Sequence, residues 1–213
     1  MAEAAIQRRD PERTRARILD AAKAEFAERG LGGARVDRIA SLAGANKRML
    51  YHYFGAKQDL FLAVLEDTYE EIRSAEAALH LEELDPALAM RRLVEFSFDY
   101  FVDHPHFTRL LNSENLHRAA HLKRSRRLRA MQSPLIATIT LVLQRGVETG
   151  TFRDGVDPVQ LYVSIAGLGY FYFSNIHTLS AAFGTDLASK RHRLTRRQHV
   201  ADVILGYLRP QTP

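Results

Sequence analysis

Apolar residues recur every three or four positions through most of the chain, which is the period of an α-helix that buries one face. In the first segment, Ile18, Ala22 and Phe26 follow one another at four-residue steps. No stretch alternates apolar and polar residues between turn residues, as a surface strand would. Glycines such as Gly30 and Gly44 fall where the helical period stops. The pattern therefore predicts an all-α fold of about nine helices.

Capping residues indicate where several of these helices begin. Asn46 precedes a short helix and can accept a hydrogen bond from an amide of its first turn. Pro86 and Pro158 suit the first position of a helix, and Asp157 suits the cap before Pro158. The predicted helices cover about residues 11–29, 36–43, 47–54, 57–72, 86–103, 106–115, 135–150, 157–183 and 195–208.

The helix predicted over residues 157–183 has apolar side chains on every face. They are Leu161, Tyr162, Val163, Ile165, Ala166, Leu168, Tyr170, Phe171, Tyr172 and Phe173. A helix that is apolar all round is buried all round. In a chain of 213 residues, this predicts that one side faces the core and the other faces a second subunit.

The net charge of +5 is concentrated at one end of the chain. Residues 1–57 hold 12 Lys and Arg against 7 Asp and Glu, whereas residues 58–213 hold 18 of each. A local basic excess indicates a polyanionic partner, such as nucleic acid or an anionic membrane surface. No cysteine is present, which excludes disulfides, thiolate nucleophiles and Cys-ligated zinc. The N-terminal residues lack a signal-peptide core, and no uncharged run reaches the ~20 residues that span a bilayer. We therefore expect a cytoplasmic protein. A membrane-surface binder is the less favoured alternative, because Ile6 is the only bulky apolar residue before residue 18.

Within the basic segment, two short helices joined by Ala43-Gly44-Ala45 resemble a helix-turn-helix. The second helix of such a motif enters the major groove, where Lys and Arg donate to guanine and Asn pairs with adenine. Arg35 and Lys57 lie near helix starts that can anchor phosphates. Arg8, Arg9, Arg13, Arg15 and Arg17 are expected to form a flexible arm over the DNA backbone. The candidate DNA-binding residues are Arg35, Asn46, Lys47, Arg48, Met49, Tyr51, His52 and Lys57.

Residues 17–60 resemble the DNA-binding domain of TetR-type transcriptional regulators. The matching positions are Arg17-Ile18-Leu19, Ala21-Ala22, Phe26, Gly30, Ile39-Ala40, Ala43-Gly44, Leu50-Tyr51, Phe54, Lys57 and Leu60. The run Gly150-Thr151-Phe152-Arg153 with Asp157-Pro158 is similar to the link before the penultimate helix of that family. Arg48 and Met49 stand where many members have Gly and Thr, so the resemblance does not give the operator sequence.

The resemblance implies a three-helix DNA-binding domain over residues 1–57 and a larger helical domain over residues 58–213 that binds a ligand and dimerises. It implies a homodimer through the helices at about 157–183 and 195–208. It also implies a regulator, expected to be a repressor, that a small ligand releases from its DNA operator. The helix from Lys57 would act as the lever between the ligand and the DNA-reading head. No cofactor and no metal are expected.

Aromatic side chains in residues 58–213 indicate an apolar or aromatic ligand, with a few polar side chains as anchors. For any single aromatic residue, an ordinary place in the core is the alternative interpretation. The ligand-binding candidates are Tyr69, Phe96, Tyr100, Phe107, Asn112, Asn115, His117, Tyr170, Phe173, Asn175 and His177.

An alternative function rests on Glu114, His117 and His121, which are spaced to share one helix face. Such a set can hold a divalent metal in an all-helical enzyme. The sequence otherwise has no nucleophile elbow, phosphate-binding glycine loop or dinucleotide fingerprint, so the prediction is that the chain is not an enzyme. The basic run at residues 118–129 has two interpretations, a site for an acidic ligand or polyanion and a solvated helix face that offsets the acidic long helix, of which the second is preferred. The cluster Lys190–Arg197 is interpreted as a loop before the last helix.

Overall fold

The computed structural model describes residues 11–210, and within them it contains ten α-helices, two short 3-10 turns and no strand. The helices are α1 (Pro11–Gly33), α2 (Val36–Leu42), α3 (Lys47–Phe54), α4 (Lys57–Ala77), α5 (Pro86–Asp103), α6 (Pro105–Leu116), α7 (Leu128–Glu148), α8 (Pro158–Ser174), α9 (Ile176–Phe183) and α10 (Lys190–Leu208). The 3-10 turns are Leu81–Glu83 and Leu122–Arg124. The all-α fold class predicted from the sequence is confirmed.

The chain divides into two compact units. The first contains the described residues up to Asp67 together with Arg109–Ser125. The second contains Thr68–Thr108 and the described residues from Arg126 onward. The sequence placed a domain boundary at residues 57 and 58. The compact first unit extends ten residues further and also takes in a later segment, which sequence periodicity does not reveal.

The first unit is built on α1, which contacts both α2 and α3. Its stripe of Ile18, Ala22 and Phe26 is fully buried, as its four-residue spacing predicts. Phe26 meets Phe61 of α4 edge to face at 5.1 Å between ring centroids. Leu110 joins the same core at 0% exposure, and this contact explains why part of α6 belongs to the first unit.

The second unit is organised around α5, which contacts α7, α8 and α10. Asp85 caps α5 by accepting hydrogen bonds from the Ala87 and Leu88 amides at 2.9 and 3.3 Å, and Pro86 occupies the first turn. Asp157 caps α8 in the same way, accepting from the Gln160 amide at 2.8 Å. These caps confirm the helix starts that the sequence indicates.

The single helix predicted over residues 157–183 is wrong, because Asn175 divides it into α8 and α9. Asn175 leaves helical geometry at φ −115°, ψ 11°, and its side-chain amide donates to the Phe171 carbonyl at 2.9 Å. Ser174, Asn175, His177 and Thr178 interrupt the apolar pattern here, a signal that the prediction of one continuous helix did not use. The expected burial is also incomplete in the single chain, since Val163 and Phe171 are 56% and 58% exposed.

Two predictions about basic segments are also wrong. Lys190–Arg197 is not a loop but the first part of α10, where Arg197 donates to both oxygens of Asp99 at 2.9 Å. The basic run at 118–129 is not a helix face, because positive φ angles at Arg118 and Ala119 follow the end of α6 and only the last residues join α7.

The basic run does offset the acidic helix α4, as predicted. Arg124 pairs with Asp59 at 2.6 Å and Arg127 pairs with Glu70 at 2.8 Å. The hydrogen bond from Arg124 is the main cause that holds the pKa of Asp59 below its usual value. Among residues 11–210, no helix has the length and apolar character needed to cross a bilayer.

Candidate nucleic-acid interface

The turn between α2 and α3 is held by Gly44 and by an arginine from α1. Gly44 has φ +57°, a left-handed conformation that favours glycine. Arg17 donates from Nε to the Ala43 carbonyl at 2.9 Å and from Nη2 to the Gly44 carbonyl at 3.0 Å. The guanidinium thus satisfies carbonyls at the end of α2, where the helix itself offers no donor. These bonds fix α3 to α1.

Asn46 caps α3, as the sequence predicts, by accepting a hydrogen bond from the Met49 amide at 2.9 Å. Leu50 and Phe54 anchor the inner face of the helix at 0% and 9% exposure. The remaining predicted residues of this helix face outward. Asn46, Lys47, Arg48, Tyr51 and His52 are exposed, and Met49 is half-buried.

The outer face of α3 carries basic, amide and aromatic groups. Lys47 forms an ion pair with Asp37 of α2, and both side chains are more than half exposed. An exposed pair of this kind contributes at most ~1 kcal/mol, so Lys47 remains available to a polyanion. The Tyr51 side chain is 50% exposed, and the His52 ring meets Tyr53 edge to face at 5.3 Å.

Arg35 and Lys57, the two predicted phosphate anchors, lie beside other helix ends of the first unit. Arg35 occupies the cap position of α2, where its amide donates to Glu25 Oε1 at 3.2 Å, and its side chain is exposed. Lys57 begins α4 and donates from Nζ to the Gly32 carbonyl at 3.4 Å. Lys57 is thus held through its side chain, whereas Arg35 is held through its backbone amide and its side chain faces solvent.

Glu25 organises this end of the first unit, although the sequence analysis did not single it out. It is 1% exposed, yet its carboxylate contacts Arg38 at 2.8 Å and Arg29 at 3.5 Å in addition to the Arg35 amide. The sequence did contain a signal for this role, because Glu25 directly precedes Phe26 and therefore lies next to the buried stripe of α1. Arg17 was matched to the family pattern, but its bonds to the turn could not be read from spacing.

The flexible arm expected from the N-terminal arginines is wrong for the residues that the structure describes. Arg13, Arg15 and Arg17 lie within α1. Arg15 lies over the Phe54 ring at 4.9 Å, and Arg17 bonds the helix-turn-helix turn. Arg8 and Arg9 lie outside the described residues.

The predicted ligand-binding residues do not form one group. Asn112, Asn115 and His117 belong to the first unit, and the others belong to the second. In the second unit, Phe107 contacts Tyr69 and Tyr100 at ring distances of 5.9 and 5.6 Å. Phe96 contacts Tyr100, and Tyr170 and Phe173 contact Phe101. Asn175 lies at the break between α8 and α9, and His177 is exposed on α9.

The proposed metal-binding set Glu114, His117 and His121 is engaged in hydrogen bonds within the protein. Glu114 is 2% exposed, and it accepts from the His121 and Leu122 amides at 2.9 Å and contacts His121 Nδ1 at 2.7 Å. His117 Nδ1 lies 2.7 Å from the Ser113 carbonyl. The expectation that all three share a helix face is wrong, because α6 ends at Leu116.

Comparison with known protein families matches both parts of the chain. Residues 18–64 match the family model described as bacterial regulatory proteins, tetR family. Residues 86–204 match the model described as tetracyclin repressor-like, C-terminal domain.

Individual relatives extend over nearly the whole chain. The HTH-type transcriptional repressor NicS of Pseudomonas putida is 40% identical over 204 residues, which cover 96% of each protein. The HTH-type transcriptional repressor SCO4008 of Streptomyces coelicolor is 43% identical over 108 residues, covering 51% of this chain and 53% of that protein. The crystal structure of the candidate transcriptional regulator SCO4942 from Streptomyces coelicolor superposes with a TM-score of 0.67 at 29% identity, covering 92% of this chain and 98% of the other. The chain is therefore a member of the TetR family of transcriptional regulators.

Proposed function

We propose that this DNA-binding regulator is a cytoplasmic repressor that binds its operator as a homodimer and is released by a small apolar or aromatic ligand. The observation that supports DNA binding is the composition of the two faces of α3. Leu50 and Phe54 anchor its inner face, and its outer face exposes Lys47, Arg48, Tyr51 and His52. The names of the relatives NicS and SCO4008, both repressors, support the sign of regulation.

The exposed apolar residues of the C-terminal helices support the homodimer. Side chains that are 42% to 71% exposed lie along α8, α9 and α10. They are Val159, Val163, Phe171, Phe183, Leu194, Val203 and Tyr207. Apolar surface of this extent is typical of a protein–protein interface. Pairing of this surface with a second copy would also explain why α8 is apolar on every side.

Operator binding tests the proposal directly, with DNA from upstream of the protein's own gene as the probe. We expect Arg48→Ala and Tyr51→Ala each to weaken binding about tenfold or more, because a base-specific contact contributes ~1–3 kcal/mol. Arg92→Ala is the matched control, because Arg92 is exposed on α5, outside the first unit. Fluorescence anisotropy provides the measurement, and equal affinities for all three variants would contradict the assignment of α3.

A reporter gene placed behind the same upstream DNA tests the sign of regulation. A repressor lowers reporter expression, and Arg48→Ala restores it. Expression that rises when the protein is present would instead identify an activator.

A further inference from the structure

The second unit contains a cavity of about 590 Å³ between α4, the 3-10 turn at Leu81–Glu83 and α7. This volume lies within the range of small-molecule sites, about 300–1,000 Å³. The side contributed by α7 is largely apolar, and the lining residues of that helix are Met131, Pro134, Leu135, Ala137, Thr138 and Leu141. None of the ligand-binding residues predicted from the sequence lines this cavity. It therefore offers a site that helical periodicity could not indicate.

The opposite side of the cavity carries a buried ion pair that is incompletely hydrogen-bonded. Glu76 is 4% exposed, and its Oε2 lies 3.0 Å from Arg73 Nε, but no protein donor is aligned for a hydrogen bond to that oxygen. Arg73 uses its other nitrogens elsewhere, donating to Gln132 Oε1 and to the Tyr162 hydroxyl, both at 3.2 Å. Two nitrogens of the guanidinium are thus hydrogen-bonded, whereas Arg73 Nε and Glu76 Oε2 face each other without an aligned hydrogen bond, and the carboxylate keeps acceptor capacity at the wall of the cavity.

The charge of the lining favours a positively charged ligand. Three carboxylates, those of Glu70, Glu76 and Glu82, line the cavity with the guanidinium of Arg73. Glu70 is also paired with Arg127, so the lining keeps an excess of one carboxylate. Burial raises the pKa of Glu76 to about 7, against the opposing effect of Arg73. A cation that reached Glu76 would supply the missing donor and offset the cost of burying the charge.

We propose that this cavity binds a small organic cation, with an ammonium group on Glu76 and an apolar body against α7. The role of this cavity as the effector site rests on the proposed function. The existence of a binding site is inferred from the cavity and from Glu76 alone.

Methionine methyl NMR on the full-length protein reads the occupancy of this cavity directly. Met131 lines the cavity, whereas Met49 lies on α3 in the first unit and serves as an internal control. The probes are benzylamine, benzyl alcohol and benzoate, which share one ring and differ in charge. We expect benzylamine to shift the Met131 methyl resonance saturably, benzyl alcohol to bind about tenfold more weakly and benzoate not to bind.

Two variants test whether Glu76 causes the preference for a positively charged ligand. Glu76→Gln removes the charge with little change of shape and is expected to weaken benzylamine binding about tenfold, leaving benzyl alcohol unaffected. Glu71→Gln is the matched control, because Glu71 is exposed on the same helix and does not line the cavity. The comparison of the three probes on the unaltered protein does not depend on the folding of either variant.

The affinity for benzylamine is also expected to depend on pH. The charged groups that line the cavity with Glu76 are Arg73, Glu70 and Glu82, and the lining residues of α7 carry no titratable group. Glu70 also pairs with Arg127 at 2.8 Å, and Glu82 lies 3.8 Å from His80 Nδ1. An ammonium ion binds the ionised carboxyl, so benzylamine affinity falls up to about tenfold for each pH unit below 7. Benzyl alcohol affinity should stay constant over the same range.

Equal binding of benzylamine and benzyl alcohol, tighter binding of benzoate, or no saturable shift of Met131 with any probe would overturn the proposed site. Operator release is measured separately, by anisotropy of the protein–DNA complex. A compound that occupies the cavity without releasing DNA would contradict the effector role and leave the site standing. Failure to bind DNA at all would contradict the proposed function alone.

Discussion

At the scale of single residues, the turn between α2 and α3 depends on Gly44. Its left-handed backbone is unfavourable for any other L-residue, and a methyl group there would lie 2.7 Å from Arg17 Nη2. We expect Gly44→Ala to lower the free energy of unfolding by about 1–2 kcal/mol and to weaken operator binding. Denaturant unfolding followed by circular dichroism, with anisotropy for DNA, provides the measurement.

The control for this substitution is Gly32→Ala. Gly32 has no neighbouring atom within 4 Å of an added methyl group and has no left-handed backbone. We expect its unfolding midpoint to stay close to that of the parent protein. If Gly44→Ala were as stable as Gly32→Ala, the turn would tolerate a side chain. The hydrogen bonds of Arg17 to the turn would then not require glycine at position 44.

Glu76 makes stability depend on pH. Its pKa is raised from 4.5 to about 7 in the folded protein, with burial as the main cause. The folded state therefore binds this proton more tightly than the unfolded state, so the contribution is greatest below pH 4.5 and is lost as pH rises through 7. The cost at pH 8 is on the order of 3 kcal/mol.

Glu76→Gln removes this titration, so its stability relative to the parent protein should increase between about pH 5 and pH 8. Urea unfolding at a series of pH values measures the difference, and Glu71→Gln should show no such trend. Parallel pH profiles for Glu76→Gln and the parent would mean that Glu76 titrates normally in the fold.

Residue identities in the site were predictable where they depend on local chemistry. Asn46 was recognised as a cap because capping requires only a side-chain acceptor three residues before the amide that it satisfies. The buried partners of Arg17 and Glu25 were not predictable, because they join residues 10 to 27 positions apart. Such contacts depend on how helices pack, and sequence spacing carries little information about that.

At the scale of elements, Glu114 holds the end of α6 to the turn that follows. Its carboxylate accepts from two amides of the segment 121–122 while it is almost fully buried. Glu114→Gln keeps the shape but replaces one acceptor oxygen with a donor. We expect it to lower the free energy of unfolding by about 2 kcal/mol, as measured by urea denaturation.

Glu28→Gln provides the comparison, since its carboxylate is 57% exposed and its two ion-pair distances are 3.5 and 3.8 Å. The expected change for that variant is below ~1 kcal/mol. If both substitutions had the same small effect, the buried carboxylate would not be stabilising the turn.

Helix starts were easier to predict than helix interruptions. Asn46 and Asp157 cap helices as the sequence predicts, and α5 begins at Pro86 as predicted, with Asp85 as a cap that was not singled out. The break at Asn175 coincides with the polar residues Ser174, Asn175 and His177, but no glycine or proline marks it. The opposite error occurred at Lys190–Arg197, where a cluster of cations was interpreted as a loop although Arg197 is neutralised by Asp99 across the second unit.

At the scale of the whole molecule, the apolar surface of α8–α10 leads to a prediction about assembly. Phe171→Asp places a charge within that surface and is expected to raise the dimer dissociation constant about thirtyfold or more. Leu116→Asp is the control, since Leu116 is 84% exposed at the end of α6 and lies outside these helices. Sedimentation equilibrium measures the dimer dissociation constant of each variant. An unchanged dissociation constant for Phe171→Asp would place the interface elsewhere.

The charge distribution was the whole-molecule feature that the sequence predicted best. Residues 11–54, which form α1 to α3 and their links, hold 9 Lys and Arg against 5 Asp and Glu, so they carry +4 of the excess of +5 in residues 1–57. The later basic residues Arg124 and Arg127 pair with carboxylates of α4, so they act largely as internal counter-charge. We therefore expect the cations of α1 to α3 to be the ones that meet a polyanion.

The salt dependence of operator binding tests the central claim most directly. A protein that neutralises DNA phosphates releases one bound counterion for each contact, so the logarithm of the binding constant falls linearly with the logarithm of salt concentration. With two DNA-reading heads, we predict a slope of about −5 or steeper, and a shallower slope for Arg35→Ala. A slope near zero would contradict the account of this chain as a regulator that binds DNA through the basic face of its first unit.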